Sequence, residues 1–197
     1  LSLPCMVGLA LMAEPLTAML FHYGRFSATD VAMTQRAVLG YSVGLLGLIA
    51  VKVLAPGYYA HQNIRTPVKI GLFSLAATQL LNLALVPVFA HAGLTLSISI
   101  AALLNALLLL VGLRRRGSYT PAPGWPKFTL QVLLACGTMA ALLAATVPRF
   151  DWVALHAQPL VRIGLTLGLV AGGALVYLLV LMACGIRPRA FLRRTRD

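Results

Sequence analysis

Six stretches of this chain are apolar for long enough to cross a bilayer, and that leaves few folds open to it. Five of them, roughly residues 31–57, 68–88, 93–113, 128–147 and 160–185, each supply the run of about 20 apolar residues that spans hydrocarbon as a helix. A sixth, 1–23, begins abruptly. Hydrocarbon offers no water to peptide groups, and no ten-residue segments of alternating polarity suggest a barrel, so the spans are expected to be helices. The expected fold class is an all-α polytopic membrane protein with six transmembrane helices. Composition agrees: 60% of residues are hydrophobic, 10% are charged and the mean hydropathy is +0.90, which excludes an ordinary soluble domain. The opening "LSLPCMVGLALMAEPLTAML" has no basic leader region, no small-residue cleavage site and no initiator Met. The expectation is a fragment of a longer protein.

Charge sets the orientation. A net charge of +12 raises nucleic acid as a partner, but the basic residues sit at span ends rather than among exposed aromatics, so no nucleic-acid partner is expected. Arg65, Lys69, Arg114, Arg115, Arg116, Lys127, Arg187, Arg189, Arg193, Arg194 and Arg196 make eleven on one side; Arg25, Arg36, Arg149 and Arg162 make four on the other. The positive-inside rule then places the 58–67 loop, the 114–127 loop and the C-terminus in the cytoplasm. The basic tail reads as a topology signal that also touches anionic lipid.

Helix-terminus chemistry predicts Thr29 as a cap before Asp30, Thr66 as a cap ahead of Pro67, and a stop or bend at Pro56-Gly57. The Pro-rich "SYTPAPGWP" reads as a stiff linker. The expected organisation is four spans in 1–113, a cytoplasmic linker in 114–127, two further spans in 128–185 and a basic tail in 186–197.

Ionisable groups inside a bilayer are costly and therefore candidates for function. Lys52, in "VKVLAPGYYA", lies close enough to the span end for its stem to snorkel to the headgroups, with Tyr58 and Tyr59 as interfacial anchors. Its neighbours favour a second reading: at about 100° per residue, Thr34, Tyr41 and Lys52 fall within about 20° of one another. Such a stripe suits a wet cavity, where a lysine presents a cation to an anionic group such as phosphate. Arg36 points elsewhere, toward the opposite interface.

Ser74, Thr78 and Asn82 recur at every fourth position, with Gln79 beside them, and Ser97, Ala101 and Asn105 do the same on the next span. Hydrogen bonds between helices account for both stripes; a cavity lining or a cation site is the alternative. Glu14, ahead of Pro15, offers a cation or proton site, or an ion pair with a part of the protein outside this chain. Gly164, Gly168 and Gly172 form a stripe that permits close helix packing, or a smooth groove for a long lipid chain. Cys5, Cys136 and Cys184 read as packing residues. His22, His61, His91 and His156 sit in or beside connections with no paired acids, no catalytic triad and no zinc spacing, so neither an enzyme nor a metal or other cofactor is expected.

The strings "AEPLTAMLFHYGRF" (13–26), "TQRAVLGYSVGLLGLIAVKVLAPGYYA" (34–60) and "TPVKI" (66–70) resemble the MurJ (MviN) lipid II flippase family of the MOP exporter superfamily. So do "HAGLTLSISIAALLNALLLL" (91–110) and "PGW" (123–125), which carries the resemblance nearly end to end. It implies a protein of fourteen helices, with two six-helix lobes around a cavity and two extra helices, of which this chain is about helices nine to fourteen. It implies lipid II, the undecaprenyl-diphosphate-linked peptidoglycan precursor, as substrate, moved from the cytoplasmic to the periplasmic leaflet of the bacterial inner membrane by alternating access. The partners it implies are lipid II, membrane lipids and the N-terminal lobe of the same protein.

On this resemblance Lys52 is the main cationic cavity residue available, with Tyr41, Thr34, Asn82 and Asn105 lining the cavity. Glu14, Thr78 and Gln79 are candidates for ion or proton coupling, and 128–147 with 160–185 correspond to the family's lipid-tail groove. Some members hold sodium with acids and an asparagine; here Asn82 is followed one turn later by Val86 instead of a carboxylate, which argues against sodium. The alternatives are an exporter of another polyprenyl-linked oligosaccharide and a membrane scaffold that transports nothing.

Overall fold

The computed structural model describes residues 2–115, 117 and 124–185, and every regular element among them is helical. The order is α1 (Ser2–Leu11), α2 (Ala13–Phe21), α3 (Ala28–Ala60), α4 (Arg65–Phe89), α5 (His91–Arg115), α6 (Trp125–Thr146) and α7 (Pro159–Ala183). Two short 3-10 turns, Val147–Arg149 and Ala154–Ala157, lie between α6 and α7. Five helices are long and apolar enough to cross a membrane, and α1 with α2 makes a sixth span if the bent pair is counted as one. The expected spans are therefore present, each within a few residues of its expected ends. The linker 118–123 and the tail 186–197 lie outside the described residues.

The first span is broken. α1 and α2 meet at 69° across Met12. Pro15 has no N–H to give the carbonyl of Leu11, four residues back, and the helix yields there. Glu14 is carried in the first turn of α2 and is half-buried.

Three expected boundaries move. Ser27, not Thr29, caps α3: its hydroxyl accepts from the Asp30 N–H at 3.3 Å, and the Asp30 carboxylate accepts from the Ser27 N–H at 2.9 Å. The box needs serine and aspartate three residues apart, a spacing that Thr29 cannot provide. Thr66 lies inside α4, where Asn63 accepts from its N–H at 3.2 Å and donates to its hydroxyl at 3.0 Å. At Pro56 the second span neither ends nor hands over to a loop, for α3 runs on to Ala60. Pro56 still withholds from the carbonyl of Lys52 the N–H that a regular helix would give it.

α3 and α5 run parallel in close contact along most of their length. A Cβ built on Gly44 would lie 2.6 Å from the Cα of Ser99, and one on Gly47 would lie 2.6 Å from the Ala102 carbonyl carbon. Only a hydrogen fits at such separations, which is the small-residue packing that membrane helices use in place of a hydrophobic drive. Two polar clamps close the seam: Ser99 donates to the Gly40 carbonyl at 2.6 Å, and Tyr58 to the Leu109 carbonyl at 2.8 Å. Tyr58 is buried with Leu109 and Leu113, so of the two tyrosines expected at the interface only Tyr59 is exposed.

α4 returns antiparallel on α5 through a one-residue turn at Ala90 (φ +49°) and barely touches α3. On the other side of α3, α1 and α2 pack against its first half, and α6 and α7 pack against α1, α2 and each other. The larger apolar core lies there, with Met12, Ala18, Val31, Ala135, Met139, Leu143 and Trp152 among its buried residues.

Candidate functional site

The polar residues on α3 form one open surface. Gly40, Gly44 and Gly47 take the face that meets α5, while the buried Val31 and Ser42 lie on the side toward α1 and α2. Thr34, Tyr41 and Lys52 fall between these two faces, about 110° around the helix from the glycines. Lys52 and Tyr41 are exposed and Thr34 is half-buried. No described helix covers this stripe. Its cation, phenol and hydroxyl suit an anionic and hydroxyl-rich ligand. Arg36 is exposed some 24 Å from Lys52 along the helix. There it lines a pocket of about 180 Å³ with Met33, Phe89 and His91.

The α4 and α5 residues form a second group, separated from the first by the body of α5. Gly93 nests against the Leu85 carbonyl and Val86. The antiparallel register therefore sets Asn82 level with Ser97 and Asn105 level with Ser74. Hydroxyls here mostly turn back on their own helices: Thr78 donates to the Ser74 carbonyl at 2.9 Å and Ser97 to the Gly93 carbonyl at 2.8 Å. The side-chain oxygens of Asn82, Asn105 and Ser74 are buried with no hydrogen-bond partner among the described residues. Among the described residues these stripes make none of the expected bonds between helices; between α3 and α5 the cross-helix bonds are those of Ser99 and Tyr58. Gln79 is exposed. Glu14, on α2, joins neither group, so the chain by itself does not gather the expected coupling residues into one site.

The glycine stripe of α7 behaves opposite to α3's. A Cβ on Gly164, Gly168 or Gly172 would meet nothing within 4 Å, and the α6 contact is made by Gly173 against Leu143 at 3.5 Å. Among the described residues the stripe is therefore not a helix-packing face, and it leaves a smooth apolar strip open. Cys136 is buried as expected, but Cys5 is exposed.

A constellation that sequence reading missed lies at the opposite end of the bundle. Arg162, expected as a mere interfacial charge, is fully buried in the first turns of α7. Its Nη2 donates to the His22 carbonyl at 3.3 Å, and the guanidinium carbon sits 4.8 Å from the centre of the Tyr23 ring. The His22 and His156 rings lie 4.8 Å apart. His22 titrates below its ordinary value because burial disfavours its charged form and His156 and Arg162 repel it. The signal was available in the sequence, since Arg162 falls inside an expected span, where any ionisable group stands out.

Broken and continuous apolar helices, a parallel glycine seam and a polar stripe left open on one helix define a polytopic α-helical membrane protein. The family model described as lipid II flippase MurJ matches residues 1–160. The chain belongs to that family. It is 46% identical over its whole length to a lipid II flippase MurJ of Burkholderia cenocepacia, and 34% identical over 95% of its length to a probable lipid II flippase MurJ of Vibrio cholerae. It spans 38% and 35% of those two proteins. A solved structure titled lipid II flippase MurJ, inward closed conformation, aligns with a TM-score of 0.71 over 91% of this chain and 35% of that one, at 21% identity, and so shares its fold.

Proposed function

We propose that this chain supplies the later spans of a flippase that moves lipid II from the cytoplasmic to the periplasmic leaflet of the bacterial inner membrane by alternating access. It lies in that membrane with its C-terminus in the cytoplasm, and it transports without covalent chemistry. The observation that carries the reading is the open α3 stripe in a chain of this family. A face that holds Thr34, Tyr41 and Lys52 in a bilayer needs a polar counterpart, and none of the described helices provides one.

In this reading the stripe faces the cavity between lobes, and Lys52 meets the diphosphate near the cytoplasmic mouth. Asn82 and Asn105 offer their unpartnered oxygens from the neighbouring helices. Glu14, Thr78 and Gln79 remain the candidates for ion or proton coupling. The open glycine strip of α7, with α6 beside it, takes the polyprenyl tail, for which a surface free of protruding side chains is the suitable bed.

The test is Lys52→Ala and Lys52→Arg in the full-length protein, compared in a strain depleted of its own flippase and in vesicles loaded with lipid II. The alanine variant is expected to reach the membrane in normal amounts and to translocate at least about tenfold less, a loss of about 1.4 kcal/mol. Arginine restores part of the rate because the cation is kept. Wild-type translocation by Lys52→Ala would reduce the lysine to a snorkelling side chain. Equal transport of an O-antigen precursor would point to the wider exporter class.

A further inference from the structure

Arg162 is held in an unusual way. The guanidinium is fully buried, yet only Nη2 has an acceptor, while Nε and Nη1 have no partner among the described residues. What keeps it in place is the last carbonyl region of α2, the negative end of a helix, and the π face of Tyr23. A buried cation with so few partners is costly to hold, so a small added charge decides whether it stays.

That charge has an evident source. His22 is 8% exposed, and its Nδ1 is sealed from solvent without a partner among the described residues. The imidazolium form carries a proton on both ring nitrogens and therefore needs an acceptor at Nδ1. From α7, His22 meets Arg162, and from the α6–α7 connection it meets His156. On α3, packed against α2, Asp30 is committed to Ser27 and Arg36 is exposed. On its own helix Glu14 stands eight residues away, about 12 Å along the axis. The ionisable groups that act on His22 are thus both basic.

We propose that Arg162 is a positioning residue: seated by the His22 carbonyl and the Tyr23 ring, it holds the start of α7 against the end of α2, and it lets go when His22 takes up a proton. The sign follows from linkage. His22 binds its proton less readily in the closed arrangement than when freed, so the closed form loses stability as pH falls below about 6.5 and keeps it above. The consequence rests on the flippase reading. The helix released is the one with the open glycine strip, so the seat of the lipid tail would respond to acidity at this end of the bundle.

The test uses the full-length protein with its cysteines replaced, spin-labelled at Met33→Cys of α3 and Leu160→Cys of α7, both exposed positions. Pulsed distance measurements in lipid nanodiscs are compared from pH 8 to pH 5. A single narrow distance is expected at pH 8, with a second, longer population growing below about pH 6.5. His22→Gln is expected to remove the pH response, and Arg162→Ala to show the longer population at every pH. Should Arg162→Ala fail to fold, Tyr23→Leu leaves an apolar side chain, removes the π face and is expected to raise the longer population at every pH while its further growth stays below about pH 6.5. An unchanged distance in the wild type, or an undiminished response in His22→Gln, overturns the proposal. The same samples are scored for lipid II translocation. A pH-dependent distance without any translocation sinks the transport reading and leaves the latch standing, and the reverse outcome sinks the latch alone.

Discussion

At the scale of single residues, the buried amide oxygens on α4 and α5 separate a packing role from a functional one. An unpaired buried acceptor costs about 1–3 kcal/mol, so an apolar side chain of similar size relieves that cost. Asn105→Leu in the full-length protein is expected to leave the thermal unfolding midpoint unchanged or higher while lowering lipid II translocation. A lower midpoint with normal translocation would make Asn105 a structural residue. Much of this scale was legible: Lys52, Thr34 and Tyr41 share a face because the helical period alone puts them there. Arg162 stood out as a charge inside a span, but its meeting with His22 was not legible, because no local pattern announces that residues 140 positions apart will touch. Tyr58 was misplaced for a similar reason. An aromatic at a span end suits the interface in general, and only the approach of α5 gives its hydroxyl the Leu109 carbonyl.

At the scale of elements, two glycine patterns have exchanged roles. The run Gly40, Gly44, Gly47 in "GYSVGLLG" brings the α3 backbone close against α5, and its small-residue spacing was there to be read. The more regular Gly164, Gly168, Gly172 meets nothing. The pair makes a direct prediction. Gly44→Val drives a branched side chain into the Ser99 backbone and is expected to destabilise by about 1–3 kcal/mol or more, seen as low yield and a lower melting temperature in detergent. Gly168→Val fills open space, so it is expected to fold normally and to slow translocation of substrates with long polyprenyl tails more than short-tailed ones. Equal melting temperatures for the two variants would contradict the α3–α5 seam. Normal transport of the long-tailed substrate by Gly168→Val would remove the glycine strip from the tail path.

For the whole molecule, orientation is the testable property. Ile64 is exposed in the α3–α4 connection and Gln158 in the α6–α7 connection, at opposite ends of the bundle. In a cysteine-free background, Gln158→Cys is expected to react with a membrane-impermeant maleimide on intact spheroplasts, and Ile64→Cys only after permeabilisation. The opposite pattern would invert the topology. The sequence by itself determined the apolar spans and their helical state, because hydrocarbon demands internally closed hydrogen bonds, and its distribution of lysine and arginine carries the expectation of orientation that the labelling tests. The break in the first span was not expected, although its cause, the missing N–H at Pro15, lies in the sequence and acts within one turn. Only the tertiary structure decided that α5 stands between the polar groups of α3 and α4, which glycines touch a neighbour, and that Arg162 leaves the interface for the end of α2. A span's hydropathy says that it must be covered by lipid or protein; which of the two covers each face depends on the shapes of helices distant in sequence.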